Sequence, residues 1–138
     1  MATPETFNDL NQLFAEEVEA ALRYLHLAVT IKGLDRLIIR DKLIEGMQET
    51  LEHAQKIAER IVQMGGIPSL DINVHLAPEK LTAREALSSA LAFEQAALDA
   101  YVEALERAKG DLVLEEFLRA QVALESEHVT EISLLLED

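Results

Sequence analysis

Cysteine is absent from the 138 residues, which excludes disulfides, thiolate metal sites and thiol catalysis. Glycine and proline are scarce, at five and three copies, and aromatic side chains make up only 4%. Strands favour β-branched and aromatic residues, so this shortage points to helix. Cations are few as well: 12 Lys and Arg against 26 Asp and Glu give a formal charge of −14. Nucleic acid and anionic membranes both need a cationic face, so neither is an expected partner. No apolar run is long enough to span a bilayer. The opening MATPETFNDL lacks the basic start and apolar stretch of a signal peptide, so a cytoplasmic location is expected.

Hydrophobic residues make up 49% of the chain, and its length suits a single domain over residues 1–138 with one continuous core. Helix signals are strong. Thr3 is placed to cap a first helix, Pro4 sits in its first turn and Glu5 favours its positive end; the pattern continues to about Lys32. A break at Gly33 and Asp35 precedes a second helix from about Leu37 to Met64, stopped by Gly65-Gly66-Ile67-Pro68. The stretch SLDINVHLAPEK has no helical period. Thr82 and Glu85 then form a capping-box signature for a third helix reaching about Lys109. Gly110-Asp111 ends that helix and caps a fourth, running to about Leu136. Short links make helices one and two antiparallel, and likewise three and four. The middle link of roughly fifteen residues is long enough to run the length of the bundle. An all-α, antiparallel four-helix bundle with one long crossover, the ferritin-like arrangement, is the expected fold.

Core positions in such a bundle recur at alternating steps of three and four. The lines so defined read Phe7, Leu10, Phe14, Glu17, Ala21, Tyr24, Ala28, Ile31 on the first helix and Leu43, Gly46, Thr50, His53, Ile57 on the second. The third reads Leu87, Ala90, Glu94, Ala97, Tyr101, Ala104, and the fourth Leu114, Leu118, Gln121, Glu125, His128, Ile132, Leu135. Each line therefore carries polar groups into an apolar seam: Glu17; Thr50 and His53; Glu94; Glu125 and His128. An unpaired buried carboxylate costs several kcal/mol, roughly, or stays protonated. No lysine or arginine occupies these lines, whereas one or two divalent cations would compensate the charge. Taken singly, Glu17 or Glu94 reads as a solvated helix residue, and His53 or His128 as a hydrogen-bonded core residue. Their coincidence at matching seam positions is what argues for metal. The halves also echo each other, with Glu17 seven residues before Tyr24 and Glu94 seven before Tyr101. Glu16, Glu19, Glu52 and Glu127 flank the seam and read as surface, and His26 and His75 have no partner pattern.

The segments LNQLFAEEVEAALRYL, LEHAQKIAERIVQMGGIP, ALAFEQAAL and LESEH resemble the four helical signatures of bacterioferritin, within the ferritin-like di-iron superfamily. The resemblance covers nearly all of the chain. It implies a ferroxidase centre in which Glu17 and His53 hold one iron, Glu94 and His128 the other, and Glu125 bridges them. Tyr24 falls on the accompanying tyrosine. It further implies Fe(II) oxidation by O₂ or peroxide and storage of Fe(III) mineral inside a cage.

Three departures from the family pattern bear on function. Thr50 replaces one bridging glutamate, and a neutral hydroxyl is a weak ligand. Glu49 is the available substitute, but it lies about 100° around the helix from Thr50; the other reading places it on an iron-binding inner surface. Leu51 stands where the family's haem-ligating methionine would be, with Met47 a full turn away, so haem is not expected. The chain also stops two residues after Leu136, before the family's channel-lining fifth helix. That counts against a closed shell of the usual kind; a homodimer is still expected, with a larger cage as the alternative. The leading expectation is a non-haem, bacterioferritin-like iron protein. A rubrerythrin-like peroxide reductase is the enzymatic rival, although no cysteine-rich electron-transfer segment is present. A ferroxidase-impaired or structural metal-binding subunit, co-assembling with another ferritin, is the non-enzymatic one.

Overall fold

The computed structural model describes residues 2–137, so Met1 and Asp138 of the 1–138 span lie outside it. The described residues form four helices: α1 Pro4–Thr30, α2 Arg36–Gln63, α3 Ala83–Arg107 and α4 Leu112–Leu136. Their order and packing are those expected for a four-helix bundle with one long crossover. Thr3 caps α1, its hydroxyl accepting from the Thr6 N–H at 3.2 Å. Thr82 and Glu85 make the reciprocal capping box at α3, and the Asp111 carboxylate accepts from the Leu114 N–H to start α4.

The ends differ from the sequence reading by a residue or two, for identifiable reasons. The first helix stops at Thr30 rather than Lys32 because the Lys32 N–H leaves the helix to pair with Leu81 O at 2.9 Å. Arg36 then satisfies carbonyls at the frayed end, its guanidinium donating to Val29 O at 3.0 Å and Ile31 O at 2.6 Å. The second helix begins at Arg36 and ends at Gln63, closed by Gly65 at φ +92°, a left-handed conformation that glycine adopts without strain. The third ends at Arg107, two residues short of Lys109, where Ala108 and Gly110 form the turn into α4.

The crossover is tied along α1 from one end to the other. The Ser69 N–H donates to Asn11 Oδ1 at 2.7 Å and the Asn73 N–H to Glu19 Oε1 at 3.2 Å. Farther along, His26 Nε2 meets Ala77 O at 2.9 Å, and Lys32 pairs with the Leu81–Thr82 segment. Rising residue numbers in the crossover match rising numbers in α1. The segment therefore runs parallel to α1 and delivers α3 at the opposite end of the bundle, parallel to α2.

The apolar interior forms two clusters. One contains Leu10, Leu13, Ile57, Ile61, Tyr101 and Leu118; the other contains Tyr24, Ala28, Leu43, Leu87, Ala90 and Ile132. On every helix the polar seam residues fall between the two, so they share a layer at mid-bundle. The seam reading needs one correction at its end: Leu135 is 46% exposed, and Leu136 packs against the second cluster instead. From Ile132 the helix returns to the core after four residues, not three. Phe7 and Phe14 are half-buried, packed against the first cluster.

Candidate metal centre

Glu17 from α1, His53 from α2, Glu94 from α3 and Glu125 from α4 are each no more than 4% exposed. His128, one turn beyond Glu125, is half-buried, with 16% of its side chain exposed. All the sequence-identified ligand candidates therefore converge in the mid-bundle layer. They pair with one another: His53 Nδ1 lies 3.2 Å from Glu125 Oε1 and 3.6 Å from Glu17 Oε2, and His128 Nδ1 lies 3.1 Å from Glu94 Oε2, while Glu49 approaches His128 from outside this set. The imidazoles stack with centroids 5.3 Å apart and planes 13° from parallel. One ligand atom each from His53, Glu125 and His128 can be enclosed within 4.8 Å.

Tyrosines complete the layer in a crossed pattern. The Tyr101 hydroxyl on α3 donates to Glu17 Oε1 on α1 at 3.0 Å, while Tyr24 on α1 stands beside Glu94 on α3, close enough for each to shift the other's ionisation. The repeat seen in the sequence thus becomes a pseudo-twofold arrangement in which each tyrosine serves the other half's glutamate. Burial and neighbouring carboxylates raise both phenols well above their ordinary value, so they remain hydrogen donors. Tyr24 fits only because α2 carries Gly46 opposite it; a Cβ there would sit 2.7 Å from Tyr24 Cε1.

The charges are set by competition between burial and pairing. Burial pushes the Glu125 carboxyl up to about 9, helped by the Glu17 and Glu94 charges and opposed by its bond to His53. Burial works against a charged His53, yet the Glu125 and Glu17 carboxylates prevail and raise it to about 10. Glu94 is held below the usual carboxylate value: burial acts upward and is the largest single influence, but the His128 hydrogen bond and charge, together with the neighbouring Glu125 and Tyr24, outweigh it. That same bond raises His128, against burial.

Two departures at this layer are now resolved in space. Thr50, which departs from the bridging glutamate of the resembled family, is buried in this layer, and its hydroxyl turns back to donate to Gly46 O at 2.7 Å in its own helix. Glu49 does reach the layer, its Oε2 lying 2.8 Å from His128 Nε2, on the outer edge of the ring. Burial raises its carboxyl against the pull of His128.

The sequence lines gave less weight to several residues with structural roles. Gln121, on the α4 core line one turn before Glu125, is buried with Oε1 unpaired. His26 and Glu19 hold the crossover, a role that lone polar residues on a helix face do not announce. Glu16 and Glu19, read as surface, are half-buried, and burial raises the Glu16 carboxyl. Glu52, Glu127 and His75 are exposed.

The bundle with its single lengthwise crossover and buried carboxylate–histidine layer defines a class, and comparison of the sequence with family models gives the same class. The model of the ferritin-like domain matches residues 7–138, and the chain belongs to that family. A ferritin-like, diiron-carboxylate protein from Bacillus anthracis str. Ames is similar at 27% identity, with a TM-score of 0.86 over 99% of this chain and 100% of that one. An engineered closed form of the Archaeoglobus fulgidus ferritin superposes at a TM-score of 0.87 and 20% identity, covering 99% of this chain and 84% of that one. An open-pore ferritin from the same archaeon gives 0.86 at 21% identity, covering 97% of this chain and 83% of that one. No curated protein matches the chain at the level of sequence.

Proposed function

We propose that this chain is a bacterioferritin-like iron protein that takes Fe(II) into the mid-bundle layer and oxidises it with O₂ or peroxide. The observation that carries the reading is Glu125 Oε2: a carboxyl oxygen buried between two histidines and two further glutamates, with no hydrogen-bond partner among the described residues, on a group that burial keeps from ionising unless a cation compensates it. Nature rarely leaves such an atom unmatched, and a cation is the partner the donor set suits. Carboxylate oxygen with imidazole nitrogen accommodates Fe(II) and favours Fe(III). Glu17 and His53 would hold one iron, Glu94 and His128 the other, with Glu125 between them. Each iron, as substrate, gives up one electron to the oxidant. Tyr101 fixes Glu17 Oε1, Tyr24 stands beside Glu94, and the two apolar clusters limit access of bulk water. Similarity to the diiron-carboxylate protein from Bacillus anthracis supports the same reading. A homodimer in the cytoplasm is the accompanying expectation.

Thr50 favours a second reading, a metal-binding subunit with impaired oxidation that works beside an intact ferritin partner. Its hydroxyl is committed to Gly46 O, which leaves the layer one carboxylate short. Anaerobic Fe(II) titration followed by admission of O₂ separates the two. Prompt near-ultraviolet absorbance on admission of O₂ supports the first, and iron bound without oxidation supports the second. Thr50→Glu is expected to raise binding towards about two equivalents per chain, the number a di-iron carboxylate site takes, and to speed oxidation. Unchanged stoichiometry and rate would show that Thr50 is not the deficit.

A further inference from the structure

The carboxylate of Glu49 lies where a bridge does not. A bridging ligand shares the ring edge on which the other ligands gather. For His53 that edge is Nδ1, which faces both Glu17 and Glu125, and for His128 it is again Nδ1, facing Glu94. Glu49 instead meets His128 at Nε2, at 2.8 Å, from the far side of the ring. With one ring nitrogen given to a metal, the other necessarily carries hydrogen and needs an acceptor. His128 is also the candidate ligand most open to water, so its ring is the one with most to gain from an outer anchor.

We propose that Glu49 is the positioning residue of His128: its carboxylate, an ion-pair neighbour of Nε2 at 2.8 Å, turns to accept the Nε2 hydrogen when a metal takes Nδ1, and thereby keeps Nδ1 presented to the metal. The inference rests on the metal-binding reading above and gives Glu49 a role different from a substitute bridge or an independent inner-surface ligand. It also accounts for the asymmetry of the site. The half that has Thr50 in place of a carboxylate still keeps an acid one residue earlier, now acting across to α4 through the imidazole rather than on the metal.

The test uses the metal-free full chain and its Glu49→Ala and Glu49→Gln variants. Co(II) titration followed by visible absorbance reads equivalents and affinity, and ¹⁵N-histidine NMR of the Zn(II)-loaded protein reads which ring nitrogen holds metal. The expected wild-type result is metal on His128 Nδ1 and hydrogen on Nε2. Glu49→Ala should keep the same number of equivalents while weakening the affected one by about 10- to 100-fold, with faster exchange of the Nε2 hydrogen. Glu49→Gln, whose amide oxygen still accepts that hydrogen, should recover most of the loss. Loss of a whole equivalent in both variants would make Glu49 a ligand and overturn the proposal, as would metal on Nε2 or an alanine variant identical to wild type. A wild-type chain that binds no Co(II) would instead sink the metal-binding reading itself, and the positioning role with it. Glu49 is over a third exposed, so the alanine variant should fold; a helical melt of each variant checks this.

Discussion

At the scale of single residues, the crossed tyrosines show how the layer tolerates its carboxylates. Glu17 Oε1 is buried, and its hydrogen-bond donor is the Tyr101 hydroxyl at 3.0 Å. Tyr101→Phe removes that donor and changes little else, because the ring is fully buried among apolar neighbours. The expected cost is about 1–3 kcal/mol in the metal-free protein, the penalty for leaving a buried acceptor unpaired. A metal at Glu17 would take over part of the lost interaction, so the destabilisation should shrink when Zn(II) is present. Urea unfolding of both proteins with and without Zn(II) measures this; an equal cost in the two states would mean that Glu17 does not meet the metal. The ligand candidates were legible in the sequence because a buried acid interrupts an apolar line whose period is known. Their partners were not. Tyr101 and Glu17 are 84 positions apart, and the sequence suggested Glu17 with Tyr24 because they share one helix face. Which tyrosine serves which glutamate depends on how α1 and α3 face each other, and local periodicity carries no information about that.

At the scale of elements, caps and crossover set where each ligand-bearing helix begins and hence the height of its ligand in the bundle. Local chemistry settles the caps, which is why Thr3, Thr82 with Glu85, and Asp111 could be read directly. The path of the crossover was legible only as a length. Its course along α1 depends on Asn11, Glu19 and His26, each an isolated polar residue whose partner is a backbone group more than fifty positions away. The capping box at α3 gives a pH-dependent prediction. The Thr82 backbone N–H, then its hydroxyl, hold the Glu85 carboxyl below its ordinary 4.5. A carboxyl lowered on folding contributes stability above its unfolded value and loses it as pH falls through the lower folded value. Wild type should therefore exceed Glu85→Gln in thermal midpoint near neutrality and converge with it in acid below 4.5. A constant offset at every pH would show that the charge is not what the box uses. Thr82→Ala, which removes the hydroxyl acceptor, should cost about 1 kcal/mol near neutrality and somewhat less in acid, because the same hydroxyl helps to hold the Glu85 carboxyl down.

At the scale of the whole molecule, the chain combines a formal charge of −14 with buried glutamates in its central layer, and both features oppose folding without cations. The surface charge is solvated and screened by salt, so its effect is diffuse. The layer is different, because the metal-free fold must hold Glu125 and His53 in states far from those they adopt in water. A divalent ion that binds the folded layer and not the unfolded chain replaces that arrangement and stabilises by mass action. With free ion at 100 times its Kd the gain is about 2.7 kcal/mol, which for a chain of this size raises Tm by roughly 10 °C. Melts with Zn(II) or Co(II), neither of which is oxidised by air here, separate binding from redox chemistry. Sodium chloride at matched ionic strength controls for screening of the surface. If the ion acts in the layer, replacing Glu125 by Gln should abolish most of the rise while leaving the effect of sodium chloride intact. If the rise survives in Glu125→Gln, the cation is acting on the acidic surface, and the central layer would have to be read as a proton-sharing core instead of a metal site.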